Sequence, residues 1–237
     1  MECKEISIYA GKKHLFDCEN LQLTKGLFAL VGRNGSGKST FLNCLQGEHE
    51  LKHGVIKVNH KDVYEFELNE LSKTISIVRS KPLLYGDYGA GDILMLGRLP
   101  YQKMLSIPSI EDHEIIDEIS DRLGVKNLLK RDYNLLSDGE KQLIMVGRAM
   151  VQDTPIVLLD EPTAFLDLVN RTVLLRHLKR LADEKNKLII FSTHHVEILS
   201  QYCDGLLLIN DKKLKYNDKP ETFEKDINEA FELNHAK

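Results

Sequence analysis

GRNGSGKST, residues 32–40, follows directly on the apolar run LFALV (27–31). A stretch that is apolar at every position reads as a strand buried on both faces. KSTFLNCLQG then reads as a helix ending near Gly47. Between strand and helix, Gly32, Gly37, Lys38 and Ser39 meet the pattern G-x-x-x-x-G-K-[ST]. Each residue type has a physical reason. Glycines let the loop curl so that successive N–H groups converge on one anion. The helix adds the positive end of its dipole. Lys38 has the length to reach the β- and γ-phosphates of a nucleotide, and the Ser39 hydroxyl suits Mg²⁺. Asn34, Gly35, Ser36 and Thr40 complete the candidate cradle. The competing reading, a glycine-rich turn with an incidental lysine, does not account for the strand before it and the helix after it.

Outward from this loop, ISIYAG, HLFDCENLQL and VIKVNHKDV read as strands of a partly exposed sheet. TISIV (74–78) is a further strand. Strand signals then stop. GAGDILMLGRLPY, IEDHEIIDEISDRLGV and DGEKQLIMVGRAMVQ read as helices, so residues 80–150 look like a helical insertion. Strands return at PIVLLD (155–160), KLIIFSTH (187–194) and GLLLIN (205–210), with the amphipathic RTVLLRHLKRLADEK between the first two. Short apolar strands alternating with helices predict an α/β fold with a mostly parallel sheet.

A phosphate cradle that supports hydrolysis needs a carboxylate nearby. In IVLLDE (156–161) four apolar residues set Asp160 at the end of a buried strand, where open α/β sheets contact ligands. Asp160 is the candidate Mg²⁺ carboxylate and Glu161 the candidate for polarising a water.

Bulk properties exclude several classes. The 237 residues are 42% apolar and 29% charged, an ordinary globular balance. A net charge of -4 gives no electrostatic case for binding a nucleic acid backbone. The opening MECKEISIYA has no signal-peptide layout, and the longest apolar runs are of strand length, so no bilayer span is expected. Cys3, Cys18, Cys44 and Cys203 are scattered without a CxxC, which suits reduced thiols. His49 and His53 are spaced i, i+4, but no motif supports a metal there.

With these residues in place, the chain resembles the ATP-binding cassette (ABC) ATPases from about Tyr9 to Glu232. LSDGEKQ (136–142) is similar to their signature loop, EPTAFLD (161–167) to their D-loop ending in Asp167, and STHH (192–195) to their switch-histidine motif. Ser137 with Glu140 also forms a capping box that would start a helix in any protein, and a capped helix start is itself an anion site. The resemblance implies a single domain with a P-loop NTPase (RecA-like) core and an antiparallel β subdomain in 1–79 and 151–237, and a helical subdomain in 80–150. It further implies that His194 senses the γ-phosphate and Tyr9 stacks on adenine. Two cassettes would pack head to tail around two ATP molecules, with Mg²⁺. Lys38, Asp160, Glu161 and His194 of one would face Ser137, Gly139 and Glu140 of the other. Lys38, Glu161 and His194 form the implied catalytic set.

Three positions depart from the family pattern. Ser80 stands where the family places a glutamine near the metal or water, and serine reaches a metal only through water. Asp138 replaces the first signature glycine, and its side chain is expected to point away from the nucleotide. His195 replaces a common aspartate. GAGDILMLGRLPYQK (89–103) and the short tail KLKYNDKPETFEKDINEAFEL resemble the importer branch for cobalamin, ferric siderophores and haem. That likeness implies separate integral membrane permease subunits, an indirectly engaged substrate-binding protein, and a peripheral position on the cytoplasmic face of the membrane. A soluble ABC ATPase such as an iron–sulfur assembly factor, and a slow nucleotide-dependent dimerisation switch, remain alternatives.

Overall fold

The computed structural model describes residues 1–80, 86–102 and 107–232. In chain order the elements are β1 (Glu2–Ala10), β2 (Lys13–Gln22), β3 (Gly26–Gly32), α1 (Lys38–Leu45), β4 (His53–Val58), β5 (Lys61–Asp62), α2 (Leu68–Thr74), β6 (Ile75–Val78), α3 (Ala90–Met95) and α4 (Ile110–Arg122). They continue as α5 (Asp138–Val151), β7 (Ile156–Leu159), α6 (Leu168–Glu184), β8 (Leu188–Ser192), α7 (Leu199–Tyr202), β9 (Gly205–Asn210), β10 (Lys213–Asn217) and α8 (Phe223–Glu232). The strands form one ten-stranded sheet in the order β5-β4-β1-β2-β10-β9-β3-β8-β7-β6. β9, β3, β8, β7 and β6 are mutually parallel. The antiparallel strands join this half where Lys213 of β10 pairs with Asp17 of β2.

Alternation along the parallel strands explains why they read as continuously apolar. Leu27, Ala29 and Val31 of β3 enter one core with α5, α6 and α8, whereas Phe28 and Leu30 enter a second with β1, β2, β4 and α1. The same period-2 division recurs in β7, β8 and β9, so both faces are covered. Phe16 of β2 meets Phe41 of α1 edge to face, with ring centroids 5.7 Å apart. Such a pair adds about 0.5–1.5 kcal/mol beyond the area it buries. It anchors α1, and with it the loop that α1 terminates.

Two readings need correction. VIKVNHKDV is not one strand. Asn59 and His60 both adopt left-handed φ, 50° and 69°, and turn the chain tightly between β4 and β5. GAGDILMLGRLPY is α-helical only to Met95; residues 96–101 tighten into a 3₁₀ helix that contains Pro100. Proline has no N–H to continue an α-helical ladder.

All four cysteines are free and buried. Burial pushes the Cys18 thiol up to about 11 and the Cys44 thiol up to about 12, and it raises Cys3 and Cys203 further. Since the thiolate is the nucleophile, native protein at pH 8 is expected to resist a thiol reagent that labels all four positions in denaturant. Rapid native labelling of any one would mean that the core around it opens.

Candidate active site

β3, β8 and β7 are parallel neighbours, so their C-terminal ends lie side by side. β3 ends at Gly32, β7 leads into Asp160 and β8 into Thr193–His194. The loop after β3 turns through Gly35 (φ 73°) and Gly37 (φ 110°). A Cβ at Gly37 would stand 2.9 Å from Leu15 Cδ1, so glycine meets both a conformational and a steric demand. α1 begins at Lys38 with no side-chain cap, which leaves its first N–H groups directed at the loop. The Ser36 hydroxyl is buried without a hydrogen-bond partner among the described residues. A buried hydroxyl of this kind beside free helix N–H groups suits an anion with many acceptor oxygens.

Lys38 is 6% exposed, and its Nζ donates to Gly32 O at 2.9 Å and Arg33 O at 3.4 Å. Burial lowers its pKa, while the carboxylates of Glu161 and Asp160 act in the opposite sense. His194 Nε2 lies 2.8 Å from Glu161 Oε1 and 3.2 Å from Lys38 Nζ. An ionised carboxylate only accepts. This pattern therefore assigns a hydrogen to His194 Nε2, donated to Glu161, with Lys38 as a neighbouring cation.

Ser192 organises the carboxylates. Its hydroxyl donates to Asp160 Oδ1 at 2.6 Å and accepts from the Glu161 N–H at 2.8 Å. Asp160 is buried, and its N–H donates to Val78 O at 2.8 Å, which fixes the end of β7 against β6. Glu161 has φ 53°, a left-handed conformation that costs a non-glycine residue of order 1–3 kcal/mol and is held by its surroundings. The sequence motif STHH marks Ser192 only as standing two residues before the switch histidine; its position at the end of the strand beside IVLLDE is the signal for this role. The oxygen donors here, Asp160 and the Ser39 hydroxyl, fit a hard cation such as Mg²⁺, which usually takes one or two carboxylates and keeps waters and phosphates.

The other candidates lie elsewhere. Ser137 caps α5: its Oγ accepts from Glu140 N at 3.3 Å, and its N–H donates to Glu140 Oε2 at 2.8 Å. Those bonds hold the Glu140 carboxyl below the usual range, with help from Arg131 at 3.0 Å. Asp167 caps α6, accepting from Asn170 N at 2.8 Å. Ser137, Asp138, Gly139, Glu140 and Asp167 line one cleft of about 610 Å³. Among the described residues, none of 32–40 and none of Asp160, Glu161 and His194 lines it. Asp138 is exposed at its border. Tyr9 pairs with His14 across β1 and β2, one residue before the Leu15 that a Cβ at Gly37 would meet. Its ring is 5.0 Å from the His14 ring and has Lys52 Nζ 4.0 Å from its centroid. Ser80 is half-buried in the bend after β6; residues 81–85 lie outside the described residues. His49 Nε2 is 2.9 Å from Tyr9 O, and no cluster of three metal-ligating side chains occurs among the described residues.

The family model described as ABC transporter matches residues 19–164. The chain belongs to the ABC transporter family. It is an ABC ATPase with the P-loop NTPase fold. An ABC transporter ATP-binding protein of Methanocaldococcus jannaschii is 30% identical over 239 residues, covering 100% of this chain and 82% of that one. The petrobactin import ATP-binding protein of Bacillus anthracis is 28% identical over 98% of this chain and 86% of its own length. An inward-facing structure of a metal-chelate type ABC transporter is 28% identical, with TM-score 0.83 over 98% of this chain and 88% of that one. A dimeric cassette bound to ADP and Pi has the same fold at 22% identity, with TM-score 0.76 over 92% of this chain and 97% of that one. No helix among the described residues of this cassette is long and apolar enough to cross a membrane.

Proposed function

We propose that this chain is the ATP-hydrolysing subunit of an importer for a metal chelate or cobalamin, acting as a dimer of cassettes on separate permease subunits. The observation that carries the reading is the division of the site. Lys38, Asp160, Glu161, Ser192 and His194 gather at the strand ends, whereas Ser137 and Gly139 border a different cleft with Asp167. A second cassette, packed head to tail, would bring its cleft to the phosphate loop of the first. Phe165 of that cleft is exposed, as are Leu135, Leu168 and Val169 close by in sequence, which suits an interface that closes and opens.

ATP is the substrate. The amides of 33–38, the Ser36 and Thr40 hydroxyls and Lys38 would hold its phosphates, with the base near Tyr9. Mg²⁺, held by Ser39 and Asp160, would neutralise charge on the β- and γ-phosphates; Ser80 stands as a water-mediated contributor. Glu161 accepts a proton from the attacking water as the new P–O bond forms, and the β–γ bridging bond breaks with its electron pair leaving on ADP. His194 holds Glu161 in place through Nε2–H and faces the γ-phosphate. Ser137, Gly139 and Glu140 of the partner cassette close the site.

Residues 80–150 form the proposed helical subdomain and 1–79 with 151–237 the ATP-binding core. A groove of about 420 Å³ opens between the 3₁₀ segment and α4, lined by Arg98, Tyr101 and Ile107. Leu99, Ile107 and Ile110 are 57%, 90% and 80% exposed, which supports this face as the permease contact on the cytoplasmic side of the membrane. The import names carried by the relatives support the cargo class. Affinity purification from detergent-solubilised native membranes tests the reading. A polytopic membrane protein at near one-to-one ratio is expected. Recovery of a soluble set such as iron–sulfur assembly factors, with no membrane protein, would overturn import and leave the ATP chemistry intact.

A further inference from the structure

Two of the four acidic residues of α8, Glu224 and Asp226, lie in its first turn, where the helix dipole favours them. Its buried face, including Phe223, Ile227 and Ala230, packs in the core that also holds Leu206 and Leu208 of β9. Its last turn has no basic residue. The last carbonyls of a helix need donors from outside it. Among the described residues, one such donor to the last described turn of α8 comes from far earlier in the chain. Arg33 Nη2 donates to Phe231 O at 3.2 Å, and the guanidinium carbon lies 5.9 Å from the centroid of the Phe231 ring.

Arg33 is also part of the phosphate loop. Its carbonyl accepts from Ser36 N at 3.1 Å, closing the turn, and lies 3.4 Å from Lys38 Nζ. One residue therefore shapes the loop with its backbone and caps α8 with its side chain. We propose that Arg33 is a positioning residue for the phosphate loop, and that it links nucleotide binding to the order of the last turn of α8. The linkage rests on the phosphate-binding reading of residues 32–40. Phosphate contacts along the loop hold the Arg33 backbone and so hold its guanidinium at the helix end. By reciprocity, a well-ordered α8 terminus favours the bound form of the loop.

Hydrogen exchange of peptides within 223–232, measured on the full chain with and without a non-hydrolysable ATP analogue and Mg²⁺, tests this. A parallel fluorescence titration records analogue binding itself. A cation at a helix C-terminus changes populations by about two- to fivefold, so saturating analogue is expected to slow exchange in the last turn by that factor. Arg33→Ala is expected to abolish the slowing and weaken binding to a similar extent, and Arg33→Lys, which keeps the charge, to restore part of both. Saturable binding with unchanged or faster exchange would overturn the linkage alone, as would equal slowing in Arg33→Ala. Absence of saturable binding would overturn the phosphate-loop reading and the linkage with it.

Discussion

Glu161→Gln is expected to bind ATP as the parent does and to hydrolyse it about 10²–10⁴-fold more slowly, the span that general-base catalysis supplies. The substitution is nearly isosteric. It retains the φ 53° backbone, the N–H bond to Ser192 Oγ at 2.8 Å, and an amide oxygen able to accept from His194 Nε2. What it removes is the ability to take a proton from water. The loop and Lys38, proposed to hold the phosphates, are left in place, so affinity and turnover should separate cleanly. A variant with trapped ATP should also hold the proposed cassette dimer together longer. Steady-state phosphate release and equilibrium binding, measured on the same preparation, check both halves. Turnover at the parent rate would remove Glu161 as the base.

Lys38→Ala should do the reverse, lowering ATP affinity by about 10²-fold. Two charge-assisted hydrogen bonds to phosphate oxygens, at about 1.5–3 kcal/mol each, support a loss of ~3 kcal/mol, or about two decades in Kd. The same variant should not be less stable without nucleotide. Burial disfavours the Lys38 ammonium and lowers its pKa. For a lysine shifted downward, folding is penalised at pH values where the side chain is charged in the unfolded chain, and the penalty fades as pH rises through the native pKa. Removing the lysine lifts that penalty. Isothermal titration with ATP and a thermal melt of the free protein give the two readouts. Unchanged affinity would mean that Lys38 does not touch phosphate, and a marked drop in melting temperature would mean that its bonds to Gly32 O and Arg33 O mainly hold the loop.

The legible parts of the fold are those where one local signal suffices. LFALV is apolar throughout because β3 is covered on both faces, and its helix-forming continuation is interrupted only by the glycines of the loop. IVLLDE announces a buried strand ending in carboxylates. α4, α5 and α6 begin at Ser109, Ser137 and Asp167, each a side-chain cap. The Asn59–His60 turn carries no local signal: Val58 precedes it, Val63 follows close behind, and no glycine marks it. β10 is mostly polar since it bridges the two halves of the sheet with little burial, so it showed no strand periodicity. α8 has an amphipathic pattern, with Phe223, Ile227 and Ala230 on its buried face, that its short length makes easy to overlook beside the polar β10.

By itself the sequence determined the chemistry available: a loop with the glycine pattern of a phosphate cradle, one lysine, two adjacent carboxylates and a histidine, on strands and helices whose apolar spacing leaves few alternatives to an α/β sheet. Only the tertiary structure decided how these groups meet. That Ser192 joins Asp160 to Glu161, that His194 stands between Glu161 and Lys38, and that Arg33 reaches Phe231 across 198 positions depends on which strands lie side by side. Strand order is set by crossover connections and by which face each helix covers. Those are long-range contacts, and no local run of residues encodes them.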